Sequence, residues 1–173
     1  MTENIIELLK QGKFDEFNAE IKNNVEDLTE SDLSGMELSG VSFYGHDLSG
    51  SDFSETTLDN VNFEGTDLSS ATFARAHLTT VAFNGAVLNG TKFNNAQIYS
   101  CDFTDADMSG ADFSESDLSD SDLSLSLNLN KCTFDKFTIW PDADNLPSDF
   151  DTDYQDDLAS LNEDDDYNNN EDY

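Results

Sequence analysis

The sequence predicts an all-β solenoid, a chain wound into stacked square coils, with a short helical cap before it and an acidic tail after it. Three observations predict this. Every fifth residue from Leu28 to Leu123 is Leu, Phe, Ile or Met, 20 in succession without a gap. Two residues before each such centre the side chain is small: 17 of 19 positions from Ser31 to Ser121 hold Ser, Thr, Ala, Val or Cys, so a second inward slot of fixed size recurs, with Met36 and His46 the exceptions. Glycines such as Gly35, Gly45 and Gly65 fall two residues after a centre.

A period of five restricts the geometry. In an extended chain, positions two apart share a face, so the centre and the small residue both point inward. Five is odd, so successive centres on one straight strand would alternate sides. On a helix a step of five overshoots a full turn by about 140° and scatters the centres around the cylinder. One corner per quintet removes the conflict, because each inward pair then turns back to a common axis. Four near-right-angle corners close a square, squares stack, and where glycine falls at a corner it eases the turn.

Residues 1–25 form the N-terminal unit. Ile5, Ile6, Leu8 and Leu9, then Phe14, Phe17 and Ile21, fit two short amphipathic helices broken near Gln11-Gly12-Lys13. Residues 26–140 form the repeat. One extra residue enters the Ser124 to Asn128 region, and the register is expected to resume at Leu129, Phe134 and Ile139, for 23 centres in all. Residues 141–173 hold 13 acids and no Lys or Arg. Phe150, Tyr154, Leu158 and Leu161 could stripe a short helix there, and disorder is expected after Glu163. Both ends of such a stack need covering. Ile5 to Ile21 is the natural cap at one end. At the other, Phe137, Trp140, Leu146 and Phe150 either cover the last coil or join two molecules end to end.

The run ADMSGADFSESDLSDSDLS at 106–124 resembles the pentapeptide-repeat family pattern A(D/N)Lxx, and the likeness covers residues 31–123 closely and 129–139 more loosely. The resemblance implies a right-handed quadrilateral β-helix with four pentapeptides per coil, here nearly six coils. Phe43, Phe53, Phe63, Phe73, Phe83, Phe93, Phe103 and Phe113 recur every ten residues, so on that geometry phenylalanine lines two opposing sides and aliphatic residues the other two. Plain core packing explains these rings without a ligand.

The composition excludes several functions. With 7 Lys and Arg against 38 Asp and Glu, a formal charge of −31, the chain lacks the clustered cations that nucleic acid or an anionic membrane requires. No stretch approaches the apolar length of a membrane span, and the opening MTENIIELLKQGK is no signal peptide, so a cytoplasmic setting is expected. Cys101 and Cys132 sit in no metal or redox spacing. His46 occupies an inward slot, where it should bulge the coil or make a capping hydrogen bond, and His77 points outward. No nucleophile-and-base pair, metal motif or phosphate loop is present, so no enzyme, cofactor or metal is expected. The recurring aspartates read as solubilising charge rather than as Ca²⁺ ligands.

Charge is the functional clue. Residues 26–140 carry 20 acids and 4 Lys or Arg, a net −16. Nearly six coils at about 4.8 Å span roughly 28 Å, or about one net charge per 1.7 Å, the linear density of duplex DNA. The acids fall in two bands, 26–67 and 102–135, around an acid-free waist at 68–101 that bears Ala82, Val87 and Tyr99. The resemblance extends to a quinolone-resistance subgroup that binds DNA gyrase and topoisomerase IV as a DNA mimic, and it implies such a partner here, with Asp47, Asp52, Asp67, Asp107, Asp112 and Asp117 as phosphate surrogates. The alternatives are a generic interaction scaffold that meets its partner at the waist or through the C-terminal apolar residues, and an acidic tail acting alone. By the same family analogy, two copies are expected to pair through the C-terminal end.

Overall fold

The computed structural model describes residues 5–23 and 28–152. Helix α1 (Ile5–Lys10) ends where Gly12 takes a left-handed φ of 70°. The Lys13 N–H then donates to the Leu8 carbonyl at 2.8 Å and the Gly12 N–H to Leu9 at 2.9 Å, satisfying carbonyls the helix leaves open. Helix α2 (Phe14–Glu20) follows, and a 3₁₀ turn (Ile21–Asn23) continues it. The break thus falls at the expected glycine.

The remainder is a parallel β-solenoid. Strands β1 (Glu37–Ser39), β2 (Thr57–Asp59), β3 (His77–Thr79), β4 (Gln97–Asp102) and β5 (Asp117–Asp122) form one parallel sheet in chain order. Glu37 pairs with Thr57, Thr57 with His77 and His77 with Gln97, so neighbours lie twenty residues apart and four turns separate β1 from β5. Three further columns of parallel bridges keep the same offset: Asp32 with Asp52, Ser42 with Asn62, and Asp47 with Asp67. Twenty residues in four columns is four quintets per turn, one on each side of a square. The sides are named here, in chain order around the coil, the Leu48, Phe53, Leu58 and Phe63 faces.

The core follows from the period. Every centre from Leu28 to Leu123 is buried, and the eight phenylalanines have no exposed surface. Rings one coil apart on the same face stack nearly parallel, as in Phe53–Phe73 (4.8 Å, 5°) and Phe73–Phe93 (5.1 Å, 9°). Rings on the opposing face meet them edge-on, as in Phe63–Phe73 (5.7 Å, 84°). Both arrangements suit the aromatic quadrupole. Small inward residues can be polar because their hydroxyls reach a carbonyl. Thr66 donates to Phe43 at 2.9 Å and Thr91 to Leu68 at 2.8 Å, each in the coil above. Corners demand left-handed backbone, and where glycine is missing other residues adopt it, including β-branched Thr80 at φ 56°.

The N-terminal unit caps the stack. Phe17 is fully buried and meets Phe43 edge-on at 5.3 Å, adding a ring to that column. The Asn18 side chain imitates a missing strand: its Nδ2 donates to the Gly40 carbonyl at 2.8 Å, and its Oδ1 accepts from the Ser42 N–H at 2.9 Å. One amide thereby satisfies part of an edge that would otherwise be open.

At the other end the expected register needs a correction. Leu129 and Phe134 are buried as anticipated, with Asn128 the extra residue, held left-handed at φ 59°. Ile139, however, is 52% exposed and pairs with Asp117, which puts it in the outward slot before a centre. A second residue is therefore inserted between Phe134 and the next centre, and that centre is Trp140. Thr138 fills the small inward slot, donating to the Phe113 carbonyl at 3.0 Å. Trp140 and Phe150 close over Phe134 with ring separations of 5.3, 5.8 and 4.9 Å, and Leu146 packs against the same core. Tyr154, Leu158, Leu161 and the acidic stretch beyond them lie outside the described residues.

Candidate functional site

The aspartates before the centres do more than carry charge. In each of the six singled out, Oδ1 accepts the backbone N–H two residues on. The Ser49 N–H donates to Asp47 at 2.9 Å, Ser54 to Asp52 at 2.8 Å and Ser69 to Asp67 at 2.9 Å. Ser109 donates to Asp107 at 3.1 Å, Ser114 to Asp112 at 3.0 Å and Ser119 to Asp117 at 3.0 Å. These are Asx turns, side-chain imitations of a backbone turn, and they brace the start of the corner. Asn62 does the same work for the Glu64 N–H at 2.7 Å. The residue that gives the surface its charge also gives the corner its shape.

The solenoid sorts these acids by face. Along the Leu48 face the outward positions run Asp47, Asp67, Val87, Asp107 and Leu127. Along the neighbouring Phe53 face they run Asp32, Asp52, Thr72, Lys92, Asp112 and Thr133. Five of the six expected residues therefore share two adjacent faces, whereas Asp117 stands on the Leu58 face, below His77 and Gln97. Asp32, in register with Asp52, joins the group although it was not among the six. The waist remains free of acids. Its Arg75 is bound to Glu55 at 2.7 Å.

Hydrogen bonding holds several carboxyls below their ordinary range. For Asp107 the leading causes are donors from the Ser109 and Asn128 side chains, and for Asp32 the donors of Ser34. For Asp112 and Asp102 partial burial pulls upward but is outweighed, by Ser114, Asn94 and Lys92 at Asp112 and by Asn84 and Thr104 at Asp102. The asparagine donors lie outside the five-residue pattern, and nothing in the spacing pointed to them.

Stability should therefore depend on pH. A carboxyl with a lower pKa folded than unfolded stabilises the fold fully above its unfolded value near 3.8, and that contribution drains away as pH falls through the folded value. Calorimetry is expected to show the melting temperature dropping as pH is lowered below about 4. Asp107→Asn, which keeps the turn acceptor, should flatten the drop. A melting temperature that rises on acidification would instead show repulsion within pairs such as Asp47 and Asp67 in control.

Other expected features resolve plainly. His46 does not bulge the coil: its carbonyl still accepts the Asp67 N–H at 3.0 Å, and its half-buried side chain lines a surface groove with Ile21, Lys22, Ser42, Tyr44 and Asn62. His77 is exposed on β3. Burial pushes the Cys101 and Cys132 thiols up to about 12, far from a reactive thiolate. Among the described residues no group of three His, Cys, Asp or Glu could hold a metal ion, and no helix is long and apolar enough to cross a membrane. Of the four C-terminal residues, Trp140, Leu146 and Phe150 pack against the core, while Phe137 is 63% exposed. Leu125, Leu127 and Ile139 are exposed on the same final coil.

Five-residue rungs, two inward side chains per rung and an aspartate brace at the corner define a four-sided β-solenoid built of quintets. The family pattern described as a pentapeptide repeat region matches residues 24–93, and that described as pentapeptide repeats (8 copies) matches 82–120 and 100–136. The chain belongs to the pentapeptide-repeat family, whose members are generally scaffolds without catalytic activity. No curated protein matches the sequence. Among solved structures it is similar to the pentapeptide repeat protein Rfr23 from the cyanobacterium Cyanothece 51142, at 18% identity over 65% of this chain and 89% of that one, with a TM-score of 0.61. A trypsin-treated variant of QnrB1, a plasmid-mediated fluoroquinolone resistance protein, aligns at 18% identity over 76% and 80%, with a TM-score of 0.46. HetL from Nostoc sp. strain PCC 7120, a pentapeptide repeat protein involved in heterocyst differentiation regulation, aligns at 25% identity over 59% and 54%, with a TM-score of 0.30.

Proposed function

We propose that the chain is a non-catalytic cytoplasmic binding protein whose acidic rod occupies a protein surface built to grip DNA, with a type II topoisomerase, DNA gyrase or topoisomerase IV, as the partner. One observation carries this reading: Asp47, Asp67 and Asp107 stand in line on one face, and Asp32, Asp52 and Asp112 stand in line on the next. Each turn brace fixes one carboxylate oxygen and with it the orientation of the group, as a phosphate is fixed on a backbone. Prearranged charge of this kind speeds encounter with a cationic groove and sets register within it. The exposed Leu125, Leu127, Phe137 and Ile139 support the reading that two copies pair through the C-terminal end.

The test uses asparagine, because Asn62 already performs the turn. Asp47→Asn, Asp52→Asn and Asp67→Asn combined should leave the melting curve near that of the parent, since each keeps its turn acceptor, and weaken inhibition of gyrase supercoiling about tenfold, since three exposed charges at several tenths of a kcal/mol each sum to that factor. Absence of inhibition by the unmodified protein removes the topoisomerase reading. The acid-free waist around Ala82 and Val87 supports a second reading, a scaffold that captures its partner there. That capture would survive high salt, whereas contacts made through the two acidic faces would not.

A further inference from the structure

A groove lies beside the N-terminal cap. It holds about 310 Å³ between the 3₁₀ turn and the first coils, lined by Ile21, Lys22, Ser42, Tyr44, His46 and Asn62. Tyr44 is 61% exposed, and Phe137 is the other aromatic ring left so open among the described residues. The two differ in one respect. Phe137 already has the Lys136 ammonium 5.2 Å from its centre, and among the described residues no such cation is found over Tyr44.

The surroundings of Tyr44 favour a cation. Ser42 pairs with Asn62, so Glu64 occupies in the next coil the corner position that Tyr44 holds in its own, and the Glu64 side chain is exposed. Asp47 follows three residues on, in register with Asp67. Asn62 Oδ1 and Ser42 Oγ, both acceptors, complete the wall. Lys22 and His46 are the basic groups in the lining. A guanidinium fits this set better than an ammonium, because it can lie flat on the ring while its edge donors reach the carboxylates.

We propose that the groove anchors an arginine side chain from an extended basic segment of the partner, with Tyr44 as the stacking surface and Glu64 and Asp47 as its counter-charges. The proposal rests on the reading that the acidic rod meets a cationic protein, but not on that protein being a topoisomerase. Aromatic residues paired with arginine commonly dominate the energetics of an interface, and this ring lies within the acid-rich part of the rod.

A dye-labelled eight-residue peptide alternating Arg and Gly, titrated into the full chain at low salt with anisotropy as readout, tests it. Tyr44→Leu should weaken binding about threefold, and Tyr44→Phe, which keeps the ring face, should stay within about twofold of the parent. Lys22→Ala should tighten binding by about twofold, since it removes the repelling ammonium. Unchanged binding by Tyr44→Leu would overturn the proposal. So would weaker binding by Lys22→Ala, which would mean that the groove takes an anion through that lysine. The exposed position of Tyr44 keeps the variants folded, and their melting curves verify it. Peptide capture that responds to Tyr44 in a protein that leaves gyrase uninhibited would sink the topoisomerase reading alone, and gyrase inhibition indifferent to Tyr44 would sink the anchor alone.

Discussion

Phe73→Ala is expected to destabilise the protein by about 3–5 kcal/mol in urea unfolding, the upper range for truncating a buried aromatic side chain. The reason lies in the number of neighbours the ring serves. It stacks on Phe53 and Phe93 at 4.8 and 5.1 Å and meets Phe63 and Phe83 edge-on at 5.7 and 5.9 Å. The cavity cannot close by a local shift, because parallel hydrogen bonds to the coils on either side fix the backbone at Phe73. Leu68→Ala, which also empties a buried centre, should cost less, about 2–4 kcal/mol. Equal losses at the two sites would show that the rings contribute area alone and that their stacking adds nothing.

Excision of residues 74–93 removes one full turn and should leave a folded rod. Asn94 and Asn95 would follow Phe73 as they now follow Phe93, Phe73 would stack on Phe113, and Phe63 on Phe103. Deleting Thr79 alone should abolish cooperative unfolding, since every later centre would be one residue out of register with the coil above it. Circular dichroism melts distinguish the two outcomes. The shortened rod also tests the partner geometry, because the excised stretch holds no acid and its loss brings the two acidic bands closer by about 4.8 Å. Inhibition of gyrase should fall about tenfold if both bands are gripped at a set spacing, the size expected when one or two good charged contacts are lost. Undiminished inhibition would mean that either band suffices.

The fold was legible because the period is written twice, in the bulky centres and in the small residues two before them. Where the prediction erred, at Ile139, the second rule already spoke against the first. The residue two before Ile139 is bulky Phe137, whereas two before Trp140 stands Thr138, and the chain follows the small residue. Asn18 was not legible as a cap, because its value comes from meeting a strand edge at Gly40 and Ser42, more than twenty residues away. The acids were legible as charge and as a sequence interval. Their division among faces followed only once the four-column register was known, and it separated Asp117 from the rest and added Asp32. The Tyr44 groove has no signature in the repeat, since one wall comes from the N-terminal unit.

The turn brace has an evolutionary consequence. Because Asn62 and Asp67 hold their corners by the same oxygen, exchanging amide for carboxylate at a brace with no further donor on it, a single-base step between their codons, is close to neutral for folding. A lineage with this architecture can therefore repaint its electrostatic potential, slot by slot, while the shaft beneath goes unselected. Affinity for a charged target becomes a trait that drifts and adapts without first passing through misfolded intermediates.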